Sequence, residues 1–283
     1  MLSETTGRIA FQGEDGAFSH QACQEVFPQM EPVACPTFED AFAAVKGGDA
    51  RLAMMPIENS IHGRVADTHH LLPESGLYII GEHFLPIRLQ LLAAPGTKLS
   101  DLHEAQSHIV ALGQCRQFLK KHAIRPLIGA DTAGSAKSVA DERVPGRAAI
   151  ASRLAGEIYG LESLAQDIED AAHNTTRFLV LSRQRIEADT LSETAVTSFV
   201  FEVRNVAAAL YKAMGGFATN GVNMTKLESY MINGSFTATQ FYAEIEGHPE
   251  EPHVRAALDE LDYFCKRLRV LGVFPAHPHR HGG

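Results

Sequence analysis

Cysteine is scarce in this chain of 283 residues. Four are present (Cys23, Cys35, Cys115 and Cys265), with no C-x-x-C pair and no zinc-like spacing. That argues against a disulfide scaffold and for free buried thiols in a reducing compartment. Long hydrophobic runs are missing as well. No apolar stretch approaches the roughly 20 residues that span a bilayer, so no membrane partner is expected. The opening MLSETTGR has neither the basic nor the apolar segment of a secretory leader, and a cytoplasmic location is expected. Positive charge is in deficit, with 25 Lys and Arg against 34 Asp and Glu and a formal net charge of −9. A nucleic-acid partner, which favours a basic face, is not expected. An anionic ligand would have to be held locally, by a few placed cations and backbone amides. Histidine is plentiful at 14, yet no H-E-x-x-H occurs. His62, Asp67, His69 and His70 could in principle assemble a metal site, but adjacent His69 and His70 leave a helix on different sides, so no metal is expected.

What is present is ordinary for a globular protein: 45% apolar and 21% charged residues, with length for two or three domains. The first two-thirds alternate short apolar strands with helical patterns. Strands are expected at Arg8–Gln12, Arg51–Pro56, His108–Leu112, Arg125–Ala130 and Arg147–Ser152, and helices at about Ala17–Phe27, Gln114–His122 and Ala133–Asp141. This alternation predicts α/β layers with a largely parallel sheet. Gly76–Gly96, which changes direction near Pro86, and Ala165–Ser182 read as two crossovers between two lobes with a cleft between them. Ligands in such sheets bind beyond strand carboxyl ends, against helix N-termini. Arg183–Glu193 is polar and reads as a linker. Thereafter come a strand (Thr197–Val203), a helical face (Val206, Leu210, Met214, Phe217) and two strands, Asn223–Ile232 and Phe236–Gly247, around an Asn233-Gly234 turn. A second helical stripe (Val254, Ala257, Leu258, Leu261) and a strand (Arg267–Phe274) complete a βαββαβ, ferredoxin-like order. The His-rich tail AHPHRHGG reads as a disordered end.

Four polar clusters interrupt the apolar pattern. In Gly13–His20, Gly13 and Gly16 could turn backbone N–H groups towards a carboxylate or phosphate, with Ser19 in the first helical turn, or they could simply make a turn. In Pro56–Val65, Glu58, Asn59 and Ser60 leave a strand end as ligand contacts or as helix caps. In Gln106–Cys115, Ser107 and His108 precede the expected strand and Gln114 with Cys115 opens the next helix; His108 reads as a packed histidine. In Asn174–Arg177, amide, hydroxyl and guanidinium donors crowd the start of a strand, and Arg177 can grip a carboxylate bidentately or pair with Glu169 or Asp170.

Taken together, Gly13-x-x-Gly16-Ala-Phe-Ser19-His20, Pro56-Ile-Glu58-Asn59-Ser60-Ile-x-Gly63, Ser107-His108 with Gln114-Cys115, and Asn174-x-Thr176-Arg177-Phe178 resemble the prephenate dehydratase family over about Arg8–Ser182. Residues from about Thr197 to Phe274 resemble an ACT domain, the amino-acid-sensing module of these enzymes. The resemblance implies a periplasmic-binding-protein-like catalytic domain at 1–183 (lobe 1 about 7–80 and 165–183, lobe 2 about 81–164). A linker at 184–195, an ACT domain at 196–275 and a tail at 276–283 follow. It implies loss of CO2 and water from prephenate to give phenylpyruvate, with no cofactor. Thr176 would donate to the departing hydroxyl, alongside Asn59 and Gln114 as catalytic residues. Arg177, Ser60, Ser107, Asn174, Phe178 and Ser19 would contact substrate. L-Phenylalanine would bind as effector near Ala208, Ala209, Leu210, Tyr211, Glu228 and Ser229, although this chain has Ala208 where glycine is usual and Tyr230-Met231 where Arg-Pro is usual. A homodimer or homotetramer is expected by the same resemblance. Arogenate dehydration and a non-catalytic amino-acid sensor are the alternatives.

Overall fold

The computed structural model describes residues 6–186, 188, 194–231 and 238–281. The chain divides into two units, one from Met1–Leu71 with His83–Phe178, the other from Leu72–Glu82 with Leu179–Gly283. Strands β5 and β11, introduced below, carry the chain from one unit to the other.

The first unit begins with β1 (Gly7–Gln12), α1 (Phe18–Val26), β2 (Met30–Cys35), α2 (Phe38–Gly47), β3 (Leu52–Asn59), the two-residue β4 (Gly63–Arg64), α3 (Ala66–Leu71) and β5 (Tyr78–Pro86). Ile9, Ala10 and Phe11 of β1 are fully buried, as parallel strands covered on both faces require. Helix α2 is locally specified. Thr37 and Asp40 form a reciprocal capping box, and Gly48 at φ 93° ends the helix in the left-handed region. After Pro86 the chain crosses to a second lobe: β6 (Gln90–Ala93), β7 (Glu104–Ser107), α4 (Ile109–Gln114), α5 (Arg116–Lys121), β8 (Arg125–Ile128), α6 (Thr132–Glu142), β9 (Arg147–Ala151), α7 (Arg153–Tyr159) and β10 (Glu162–Ala165). It returns as β11 (Thr175–Ser182). The first sheet runs β2-β1-β3-β11-β5 with β4 on β3, and the second β10-β6-β9-β7-β8. Pairs β1–β2, β1–β3, β7–β8 and β7–β9 are parallel, whereas β6 pairs antiparallel with β9 and β10. Two α/β lobes joined by two crossing segments make the periplasmic-binding-protein-like arrangement expected.

One expected strand is a helix. The strand of this region is Glu104–Ser107, and His108 caps α4, its Nδ1 accepting from the Val110 N–H at 3.3 Å. A four-residue apolar run does not distinguish strand from helix by periodicity. Exposure of Ile109 (58%) shows that the run is not a buried strand. Gln114 therefore ends a helix instead of opening one.

The second unit contains β12 (Ala195–Val203), α8 (Ala209–Thr219), β13 (Met224–Met231), β14 (Ala238–Glu246), α9 (Pro252–Phe264) and β15 (Cys265–Pro275), in the antiparallel order β13-β14-β12-β15. This is the ferredoxin-like βαββαβ fold. Phe199, Phe201, Phe217, Phe241, Val254 and Leu261 build its core. Gly216 lets α8 close on α9, since a Cβ there would lie 2.8 Å from that of Glu260. Val206 lies outside the helical face expected for it: α8 starts only at Ala209, and Val206 is exposed in the preceding turn. The Asn233-Gly234 turn and most of the Arg183–Glu193 linker lie outside the described residues.

The tail is a second correction. Pro278–His281 form a 3-10 turn, from which Arg280 binds Glu82 through Nε (2.6 Å) and one terminal nitrogen (2.8 Å) and Glu244 at 2.7 Å. Both carboxylates are buried, and a buried charge demands a partner, which orders the turn. Among the described residues no helix is long and apolar enough to cross a membrane.

Candidate active site

The donor cluster before Phe178 is organised from β3, the strand beside β11. Asn59 Oδ1 accepts the backbone N–H groups of Ile61 and His62, both at 3.0 Å, in a local Asx turn. That fixes the orientation of the amide, so its NH2 group points at β11. Nδ2 donates to Thr176 Oγ1 (2.9 Å), to Asn174 Oδ1 (2.9 Å) and more weakly to the Thr175 carbonyl (3.2 Å). With Oγ1 acting as acceptor, the Thr176 hydroxyl keeps its own proton for a group in the cleft. Ser60 clasps the same strand start, donating to the His173 carbonyl (2.9 Å) and accepting from Thr175 N–H (3.0 Å). Its single proton is thereby committed to the backbone, and it does not line the cavity.

Alternation along β11 separates neighbours. Thr176 and Phe178 line a cavity of about 290 Å3 in the first unit; Arg177 does not. Arg177 is buried, pairs with Glu58 at 2.9 Å and stacks 5.8 Å above the Phe84 ring. The expected grip of Arg177 on a ligand carboxylate is therefore absent from this arrangement, because its side chain is on the other side of the strand. Glu169 instead takes Arg88 (2.8 Å) and the Leu89 N–H, and Asp170 the Gln117 N–H.

Both lobes form the cavity. Phe18, Phe38, Pro56, Ile87, Leu89 and Phe178 supply apolar walls. Ser19, Asn59, His62 and Thr176 face it from the first lobe, His108, Gln114 and Thr132 from the second. Among the described residues, its lining includes no lysine, arginine, aspartate or glutamate. Helices α1 and α6 begin at Phe18 and Thr132; the Asp131 carboxylate caps α6 through the Gly134 N–H (2.6 Å), whereas α1 has no side-chain cap and brings partial positive charge to the cavity. His62, His108 and Thr132 are the polar lining residues that sequence reasoning missed as ligand contacts, His108 because it reads as a packed histidine. Thr132 was legible in principle, since it follows the carboxyl end of β8 by a few residues.

The Gly13–His20 loop has another use. The Gly13 N–H bonds the Cys35 carbonyl (2.9 Å) and the Gly16 N–H bonds His20 Nδ1 (3.1 Å), so neither glycine amide is free for an anion. Gly16, at φ +87°, meets the other lobe instead. A Cβ there would lie 2.6 Å from Ala155 Cα, and its carbonyl accepts from Ser152 Oγ. Tyr159 donates to the Asp15 carbonyl (2.8 Å) and Lys137 pairs with Glu14 (3.2 Å), extending the contact between lobes. Burial lowers the pKa of His20 below its ordinary value, against the opposing pull of Asp15. Of this cluster Phe18 and Ser19 reach the cavity. Ser107 is fully buried and donates to the Ile150 carbonyl (2.6 Å), tying β7 to β9.

Elsewhere, Ala208 precedes α8 with φ 58°, in the left-handed region. Ala209 and Leu210 are half-buried and Tyr211 is exposed, while Glu228 sits on β13 beside Lys226 (3.6 Å), with Ser229 following. All four cysteines are free and buried, and burial pushes their thiols up, that of Cys265 to about 12. Among the described residues no group of three or more His, Cys, Asp or Glu could hold a metal ion; His69 is buried in α3 and His70 exposed.

Comparison with known proteins matches the prephenate dehydratase family over residues 9–186. A bifunctional N-acyl-homoserine lactone acylase/prephenate dehydratase of Komagataeibacter europaeus is 47% identical over 96% of this chain and 97% of its own length. An arogenate dehydratase/prephenate dehydratase of Arabidopsis thaliana is 37% identical over 95% of this chain and 72% of its own. The solved prephenate dehydratase of Arthrobacter aurescens in complex with L-Phe is 31% identical and superimposes with a TM-score of 0.87 over 96% of this chain and 93% of its own. With its two-lobed cleft and ferredoxin-like C-terminal fold, the chain belongs to the prephenate dehydratase family of carbon–oxygen lyases.

Proposed function

We propose that the chain converts prephenate to phenylpyruvate, CO2 and water. The observation that carries this reading is the Asn59–Thr176 hydrogen bond at the wall of a cavity whose described lining has no lysine, arginine, aspartate or glutamate. Prephenate carries a ring carboxylate and a hydroxyl on opposite ring carbons. The electrons of the breaking C–CO2 bond enter the ring as hydroxide leaves with a proton, and aromatisation drives the reaction. Thr176 donates to the leaving hydroxyl. Its hydroxyl is too weakly acidic to release a proton beforehand, so donation is concerted with C–O cleavage. A cation held against the ring carboxylate would stabilise the ground state and oppose its loss as CO2, and neutral lining avoids this. The α1 N-terminus, His62, His108 and Gln114 supply donors for the two carboxylates.

The absence of a carboxylate from the described lining favours the keto acid over arogenate, whose ammonium group would want one. In this reading 1–183 is the catalytic domain, 184–195 a linker and 196–275 an ACT domain that binds L-phenylalanine as a feedback inhibitor. The protein acts in the cytoplasm as a homodimer or homotetramer. A second reading has a specific basis: the acylase named for the 47% identical relative would here hydrolyse N-acyl-homoserine lactones, with the apolar walls taking the acyl chain. Purified protein given prephenate, arogenate and an N-acyl-homoserine lactone in parallel tests all three. Phenylpyruvate from prephenate, inhibited by phenylalanine, is expected. No turnover of prephenate by folded protein would overturn the main reading, and release of free homoserine lactone would establish the second.

A further inference from the structure

Asn174, one of the residues expected to touch substrate, is fully buried and does not line the cavity. Its backbone is pinned, with its N–H on the Ala171 carbonyl (3.2 Å) and its own carbonyl accepting from Ile87 N–H (2.8 Å). Its side chain is half used. Oδ1 accepts from Asn59 Nδ2 at 2.9 Å, while Nδ2 is buried without a hydrogen-bond partner. Rotating the amide would not help, because Nδ2 would then face the Asn59 NH2 group, donor against donor. The Asn59 amide cannot turn to accommodate it, since its Oδ1 holds two backbone N–H groups.

The Asn59 NH2 group has two protons and three acceptors within reach: Thr176 Oγ1, Asn174 Oδ1 and the Thr175 carbonyl. When Asn174 takes one proton, the other is left for Thr176. Without Asn174, the amide is free to tilt towards the Thr175 carbonyl and away from the hydroxyl. An orphaned buried donor is unfavourable, and a leucine of similar size would fill the space without it. A packing role gives no reason for asparagine here. We infer that Asn174 is a positioning residue: through Asn59 it sets the direction of the Thr176 hydroxyl proton and never meets the substrate. This rests on the reading of Thr176 as the proton donor to prephenate.

Two variants separate the proposal from a structural role. Asn174→Leu removes the acceptor and the orphaned donor together. Asn174→Asp keeps an oxygen acceptor for Asn59 but introduces an acid into a buried site. The inference expects opposite orders. In Asn174→Leu, kcat falls roughly 10- to 100-fold, as misplacement of a reacting group does, with KM and Tm maintained. In Asn174→Asp, Tm falls while the folded fraction keeps more kcat than the leucine variant. Parallel loss of kcat and Tm across the two variants, or unchanged kcat in Asn174→Leu, overturns it. If wild-type protein fails to turn over prephenate, it is the functional reading that fails. The side-chain amide resonances of Asn59, assigned through Asn59→Asp, then decide the positioning. They shift in Asn174→Leu if Asn174 holds that amide, and unmoved resonances overturn the inference.

Discussion

Thr176 and Arg177 are adjacent in the chain but face opposite sides of β11, and the two sides follow opposite electrostatic rules. On the cavity side, Thr176 receives a neutral amide, and among the described residues the lining has no lysine, arginine, aspartate or glutamate. On the other side, Arg177 is buried in an ion pair with Glu58 and stacked over Phe84. The guanidinium anchors the strand to its neighbour β3; the hydroxyl is left to the ligand. Anchoring thus tolerates full charges that the cavity excludes, and strand periodicity alone keeps the two functions apart.

Substitutions can break this comparison, and the largest effect is expected at Thr176. Thr176→Ala should lower kcat on prephenate by roughly 10²- to 10⁴-fold with little change in Tm, as loss of a positioned proton donor does. Next, Arg177→Met takes from half-buried Glu58 the buried guanidinium that it pairs with. It should reduce unfolding free energy by about 3 kcal/mol in denaturant titration while leaving KM of the folded fraction unchanged. A KM raised tenfold would place Arg177 on the substrate and erase the distinction between the two sides. Gly16→Ala forces a Cβ against Ala155 at a positive φ and should cost about 1–3 kcal/mol by overpacking the junction between lobes. In the ferredoxin-like domain the sign reverses: Ala208→Gly relieves a left-handed alanine and should stabilise by about 1 kcal/mol, read as a raised Tm.

The smallest effect depends on pH. Burial lowers the pKa of His20 and of His83, with Asp15 and Glu25 opposing it respectively. The folded protein therefore keeps both neutral where the unfolded chain, at the ordinary value of 6.5, begins to take up protons. Stability is full above that value and declines as pH falls below it. His20→Gln should flatten the acid side of a Tm-against-pH curve, and an unchanged slope would refute the assignment.

Among elements fixed by local patterns, the capped helix after Thr37 was not read from the sequence although its capping box is local, whereas the buried strand at Ile9–Phe11 and the apolar stripe of α9 were legible there. The α4 segment was not, because four apolar residues fit either period and only the exposure of Ile109 separates them. Of the site, Asn59, Gln114, Thr176, Phe178 and Ser19 were found at the cavity wall. The roles of Arg177, Ser60, Ser107 and Asn174 depend on partners that local sequence does not reveal. Asn59 reaches Asn174 across 115 positions, and Arg280 reaches Glu82 across 198. Gly16 shows the same limit: two glycines after a strand look alike whether they cradle an anion or admit the neighbouring lobe.

The central claim is that a neutral hydroxyl, aimed by Asn59, carries the reaction. The most direct test compares kcat for prephenate in wild-type, Thr176→Ser and Thr176→Ala proteins of equal fold. Serine, which keeps the hydroxyl, should retain substantial activity while alanine loses nearly all of it at similar KM. Equal rates in the alanine variant and the wild type would contradict the account.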